Sequence, residues 1–164
     1  MDKSHWLPAR LSQQERLHRL GYLAIALLPI MGSYAFNQGL TPAFWGCPLL
    51  RLTGIPCPGW GLTRSFMAVA RGDWQQAIAF HAFGIVLFGG FAIAAVHLAL
   101  ELIRDRRIAV FYVPMVRHPK FQIFVFLVLL SYHGIRLYDL AQAGELLTSF
   151  LHSPLGHGLR HGSM

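Results

Sequence analysis

Charge is scarce in this 164-residue chain: 13% of residues are Asp, Glu, Lys or Arg, while 54% are hydrophobic. Soluble domains carry about a quarter charged residues, so the composition points to a lipid solvent rather than a water-facing surface. Acidic side chains are scarcer still, seven in all, and none falls in the middle of an apolar run. That argues against a carboxylate-driven ion pump and a paired-carboxylate hydrolase. No glycine-rich phosphate loop, H-E-x-x-H or Ser/His/Asp pattern is present, so no catalytic residue is assigned. Three apolar runs without an internal repeat do not make a self-sufficient secondary transporter. The net charge of +7 does not indicate nucleic acid, because the cations flank apolar runs instead of forming a stripe.

What the chain does have is membrane-length apolar sequence. The reading is an all-α membrane protein with three transmembrane helices, at residues 20–36, 74–100 and 121–140. Residues 1–19 are polar and basic, and Ser12-Gln13-Gln14-Glu15 has the form of a capping box, suggesting a short surface helix. Pro29 is expected to kink the first span. The second span has no Asp, Glu, Lys or Arg from Trp74 to Leu100, and Asp73 is a good N-cap for it, with Gln76 three residues on. Ile108–Val116 reads as a membrane-touching loop, and Arg136 snorkels at the end of the third span. The tail, 144–164, reads as flexible. Nine Lys/Arg flank one side and five the other, which places the N-terminus in the cytoplasm and the C-terminus outside.

Residues 37–73 form a structured outer loop. Between Gly46 and Arg64 this loop holds both cysteines of the chain and three of its nine prolines. Phe44, Trp45 and Trp60 suit the headgroup level. Leu62–Ala70 is too short to span and reads as a re-entrant or interfacial helix. Cys47 and Cys57 admit three readings: a structural disulfide or inert thiols, a redox pair, or a metal pair. Two thiols fall short of a structural zinc site, so no metal site is assigned, and their spacing is not the C-x-x-C of thiol oxidoreductases. Cys57 precedes a helix start near Arg64, which would favour its thiolate. Pro48, Thr53, Gly54, Pro56, Pro58, Gly59, Trp60, Gly61, Thr63, Arg64 and Asp73 shape the loop or face a partner, with Arg64 as an anchor or a mate for Asp73.

His81 and His133 fall at similar calculated depths in the second and third spans. They are candidates for a haem, pigment or proton site, or for structural hydrogen bonds. His97 and Glu101 read as a surface i, i+4 pair. Gly90 with Ala94, and Ala95 with Ala99, allow another helix to approach closely.

The string T-G-I-P-C-P-G-W-G-L-T-R-S, with Cys47-Pro48 before it and Gly72-Asp73 after it, resembles the domain-of-unknown-function 2752 family. These are small bacterial integral-membrane proteins with the pattern C-P…T-G-x-P-C-P-x-C-G-x-T-R…G-D. Cys47 and Cys57 correspond to the first two family cysteines, and Thr63 and Arg64 to the T-R pair. Trp60 stands where the third cysteine usually lies, which removes the C-x-x-C spacing. His81-Ala82 stands where the family often has Asn-Pro. The resemblance implies a bacterial inner or internal membrane and supplies no activity. The functional expectation is an accessory subunit or assembly factor that docks another membrane protein, or a second copy, through the rigid loop. A thiol-redox or haem/pigment protein, and a small channel or lipid-binding protein, are the alternatives.

Overall fold

A computed structural model describes residues 10–40 and 46–161, with side chains to residue 157. Phe44 and Trp45 lie outside the described residues. The structure is all-α among the described residues, apart from one isolated bridge between Arg10 and Arg106. In chain order the helices are α1 (Gln13–Asn37), α2 (Pro48–Thr53), α3 (Leu62–Ala70), α4 (Trp74–Phe80), α5 (Gly84–Arg104), α6 (Tyr112–Arg117), α7 (Pro119–Gln142), α8 (Glu145–Leu151) and α9 (Pro154–His161). Three of them, α1, α5 and α7, are long and apolar enough to cross a membrane. At ~1.5 Å per residue they measure about 37, 31 and 36 Å, against a hydrocarbon core of about 30 Å. The helices group into two compact units, one holding α1, α3, α4 and α5, the other α2 and α6–α9.

In the first unit, the Ser12–Glu15 capping box is present. The Ser12 amide donates to Glu15 Oε2 at 2.9 Å and the Glu15 amide to Ser12 Oγ at 3.3 Å. The helix it starts is not a separate surface element, because it runs unbroken through Pro29 to Asn37. α1 and α5 are antiparallel neighbours: the Leu11 amide donates to the Asp105 carbonyl, 3.1 Å away, and α1 packs along α5. Apart from Glu101, the buried positions on these helices are small: Ala26 and Ser33 on α1, Gly84 and Ala95 on α5. Small side chains let backbones approach closely, which is how helices associate where lipid offers no hydrophobic drive. Of the small residues on α5, Ala95 is buried, whereas Gly90 is exposed.

Charges close the end of this pair. Arg19 Nε donates to Glu101 Oε2 at 2.7 Å, His97 Nε2 lies 3.5 Å from Oε1, and the Ile108 amide donates to Oε1 at 2.8 Å. Glu101 is 6% exposed, so the His97–Glu101 pair belongs to a buried cluster and not to the surface. Arg107 pairs with Glu15, and Arg16 lies 3.7 Å from Asp105.

The second span departs from expectation. Trp74–Leu100 is not one helix: α4 stops at Phe80 and α5 begins at Gly84. His81 between them is extended, with φ −163° and ψ 114°. A helix end inside apolar surroundings needs partners for its carbonyls. The amides of His81 and Gly84 serve those of Ala77 and His81, and Ser65 of α3 adds a second donor, its hydroxyl donating to the Ala77 carbonyl at 2.7 Å and reaching the His81 carbonyl at 3.2 Å. Gly84 leaves room for that hydroxyl: a Cβ there would sit 2.6 Å from Ser65 Cβ and collide with Oγ. Phe66 of α3 meets Phe88 edge-on at 5.5 Å, and Ala68, Val69 and Ala77 form the core under Phe80 and Ile85. The spanning element is α5 alone, which is long enough without α4.

In the second unit, α7 starts on Pro119 with His118 as N-cap and has no buried residue. Ile108–Val116 is not wholly loop, since α6 occupies part of it. The tail carries α8 and α9 in place of the expected flexible chain.

The Ser65 joint generates a prediction. Overpacking a closed core costs about 1–3 kcal/mol, and losing a buried hydrogen bond costs about 0.5–1.5 kcal/mol. Gly84→Ala and Ser65→Ala should therefore each lower the thermal unfolding midpoint in mild detergent, whereas Gly89→Ala, where a Cβ meets nothing within 4 Å, should not.

Candidate functional site

The cysteine motif divides between the two units at Trp60/Gly61. Its first half surrounds α2. Cys47 is the N-cap residue, Pro48 holds the first helical position, and Gly54 ends the helix in the left-handed region at φ 72°. A proline needs no amide donor at that first position, and only glycine takes such a φ without strain. Gly54 has a second reason to be glycine: a Cβ would collide with the Ser149 carbonyl of α8. Thr53 finishes the turn, donating to the Leu49 carbonyl at 2.6 Å and accepting from the Ile55 amide at 3.1 Å. Gly54 and Pro56 are buried.

A further tight turn follows, in which the Trp60 amide donates to the Cys57 carbonyl at 2.9 Å. Arg136 of α7 fastens it. Its Nη1 donates to the Trp60 carbonyl at 2.9 Å, and its guanidinium lies 4.4 Å from the centre of the indole ring. This joins a charge-assisted hydrogen bond to a cation–π contact on a single residue. Arg136 is thus more than a snorkelling cation; within this unit it holds the loop. Its role is hard to read from sequence, because 76 residues separate it from Trp60.

Both cysteines lie in this loop, half-buried and unbonded. Burial opposes ionisation of both. At Cys47 it is outweighed by the neighbouring Cys57 and the nearby amides of Leu50, Cys57 and Leu49, so its thiol is held below the ordinary cysteine range. These amides act without making a side-chain cap on α2. Burial and the neighbouring Cys47 push Cys57 up. The sequence argument favoured Cys57 as the more acidic thiol; the structure assigns that property to Cys47. No group of three or more His, Cys, Asp or Glu residues suited to a metal occurs among the described residues.

The second half of the motif lies in the other unit. Thr63 is half-buried at the start of α3, and Arg64 is exposed, with its guanidinium 6.0 Å over the Phe80 ring. Asp73 does not pair with Arg64. Its carboxylate caps α4, accepting from the Gln76 amide at 2.9 Å. Arg71, which the sequence reading used only as a counted charge, ties three elements: Nη1 donates to Asn37 Oδ1 at 2.5 Å and Nη2 to Gln76 Oε1 at 2.7 Å. Asn37 Nδ2 in turn donates to the Met67 carbonyl at 2.9 Å.

His81 is 1% exposed and sits at the α4–α5 break, beside the Phe83 ring at 6.2 Å. The depth calculated for it along a continuous helix no longer applies. His133 is half-buried on α7, in the other unit.

The loop's fastenings can be tested through its thiols. Arg136→Ala should speed maleimide modification of both cysteines in the purified protein. Arg136→Lys should restore little, because lysine lacks the planar fork. Gly54→Ala should have the larger effect, since it combines strain with a backbone collision. Unchanged modification rates in all three variants would contradict this picture of the loop.

Neither the curated proteins nor the solved structures gave a match. A family model does: residues 47–95 match the protein-of-unknown-function family DUF2752, in agreement with the motif resemblance, and the matched stretch runs from Cys47 through the Ser65 joint into α5.

Proposed function

We propose that this chain is an accessory subunit or assembly factor of a membrane complex, docking a partner membrane protein through the α2 loop. One observation carries the reading: α2 is pinned on its inner side yet turns apolar residues outward. Gly54, Thr53 and the Arg136–Trp60 contact fix the backbone, while Leu49 and Leu52 remain 44% and 57% exposed and flank exposed Arg51. A preordered surface loses little conformational entropy on association, so small apolar anchors suffice for recognition. The bare α7, with exposed Phe124, Phe126 and Leu127, offers a long apolar face to lipid or to the same partner.

In this reading the surplus of Lys/Arg in the N-terminal segment and the 104–120 stretch keeps both in the cytoplasm. The α2 loop then faces outward, and the α3–α4 hairpin is a re-entrant or interfacial element shielded by α1 and α5. The membrane is a bacterial inner or internal one.

A photo-crosslinking residue at Leu52, activated in native membranes, tests the docking surface. The expected product is one discrete protein adduct, either a second membrane protein or another copy of this chain, and Arg51→Glu should abolish it. Adducts to lipid alone, unaffected by Arg51→Glu, would overturn the proposal.

A further inference from the structure

Six arginines and no lysine stand in the two segments that meet at the charged end of α1 and α5, residues 10–19 and 104–107. Three of them have a carboxylate: Arg19 meets Glu101, Arg107 meets Glu15, and Arg16 lies 3.7 Å from Asp105. The other three, Arg10, Arg104 and Arg106, are exposed and meet no carboxylate among the described residues. Arg104 closes the last turn of α5, where the helix dipole suits a cation. Arg10 and Arg106 have no such support. They are the two members of the isolated antiparallel bridge. Residues opposed in this way have Cβ atoms about 4.5–5.5 Å apart on one face, and like charges there repel.

The fold nevertheless builds the juxtaposition. Leu11, 7% exposed, anchors the segment that carries Arg10, and its amide donates to the Asp105 carbonyl. Across from it, Asp105 turns the chain at φ 52°, the one positive φ outside glycine among the described residues. The Arg106 amide then donates to the Glu101 carbonyl at 3.2 Å. Two guanidinium side chains are thus held as neighbours by buried and hydrogen-bonded backbone. The positive-inside rule asks only for charge, which lysine supplies as well. Arginine alone offers a planar fork that takes a phosphate through two parallel hydrogen bonds.

We propose that Arg10 and Arg106 form a binding site for the phosphate of an anionic phospholipid headgroup, with Arg104, two residues along the chain, as a further cation. The site stands where α1 begins and α5 ends, and both helices are of membrane length, so it meets the leaflet at the level of the lipid phosphates. The bound phosphate offsets the repulsion between the two guanidinium groups and ties the ends of α1 and α5 to the same leaflet. An anionic headgroup is favoured over a zwitterionic one because the three arginines without carboxylates leave this end cationic. The site lies in the unit built from α1, α3, α4 and α5 and rests on nothing in the docking reading.

The experiment titrates the full chain, in mild detergent freed of lipid, with phosphatidylglycerol, phosphatidylcholine or inorganic phosphate. Native mass spectrometry reads the bound lipid, and the thermal unfolding midpoint reads its effect on the fold. Phosphatidylglycerol should bind and raise the midpoint. Phosphatidylcholine, whose ammonium neutralises the headgroup, and inorganic phosphate, which has no acyl chains, should do neither at equal concentration. Arg10→Gln with Arg106→Gln should weaken phosphatidylglycerol binding about tenfold or more, through the loss of hydrogen bonds to a charged group. Arg10→Lys with Arg106→Lys keeps the charge and should recover little of the loss. Arg117→Gln with Lys120→Gln removes the same charge elsewhere and should leave binding unchanged. The fold supplies an independent check: before lipid is added, the glutamine pair should unfold no earlier than the wild type, because it relieves the repulsion. Equal binding of phosphatidylcholine, equal stabilisation by inorganic phosphate, an equal loss in the Arg117/Lys120 variant, full recovery in the lysine pair, or earlier unfolding of the lipid-free glutamine pair would each overturn the proposal.

Discussion

The hydroxyl of Ser65 joins α3 to the α4–α5 break, donating to the Ala77 carbonyl and reaching that of His81, each of which also accepts a backbone amide. An apolar chain has few such groups to offer, and water is not available to replace them where lipid surrounds the protein. Around this joint the chain folds α3 and α4 into a hairpin of two short helices against α1 and α5. Gly84 is the complement of Ser65, since the space a Cβ would need is the space the hydroxyl occupies. The other end of the unit is closed by charge, with buried Glu101 between Arg19 and His97. Breaking such a pair by removing one partner is costly, because the remaining charge stays buried. Small side chains between these two polar ends let α1 and α5 approach closely.

The cysteine loop follows a similar logic at smaller scale. It has little hydrophobic core of its own, so its order comes from local geometry and from single contacts with the helices of its unit. Proline sets the start of α2, glycine sets its stop, threonine completes the turn, and an arginine on α7 fixes the end. Rigidity of this kind presents Leu49 and Leu52 on a fixed surface.

Much of this was legible in the sequence, for physical reasons that can be named. The absence of charge from long runs identified three membrane-length helices, because any ionised group there would carry a desolvation cost. The Ser12–Glu15 box and the Asp73 cap were readable because each is a local contact over three residues. The break at His81 was not, since nothing in His-Ala-Phe forbids a helix and Ser65, which bonds to it, lies sixteen residues earlier. Arg136 was missed for the same reason, its partner Trp60 being remote in sequence. The direction at Cys57 was misjudged because the helix start near Arg64 suggested a favoured thiolate, whereas burial pushes that thiol up.

The account rests most heavily on α5 crossing the membrane and separating the cysteine loop from the basic stretch after Arg104. Two single-cysteine proteins test this directly: one retaining only Cys47, the other carrying Arg106→Cys in a cysteine-free background. Each is treated with a membrane-impermeant maleimide in right-side-out and inverted vesicles. The account predicts that Cys47 reacts in the right-side-out vesicles and the Arg106→Cys protein in the inverted ones. Reaction of both from the same face would contradict it.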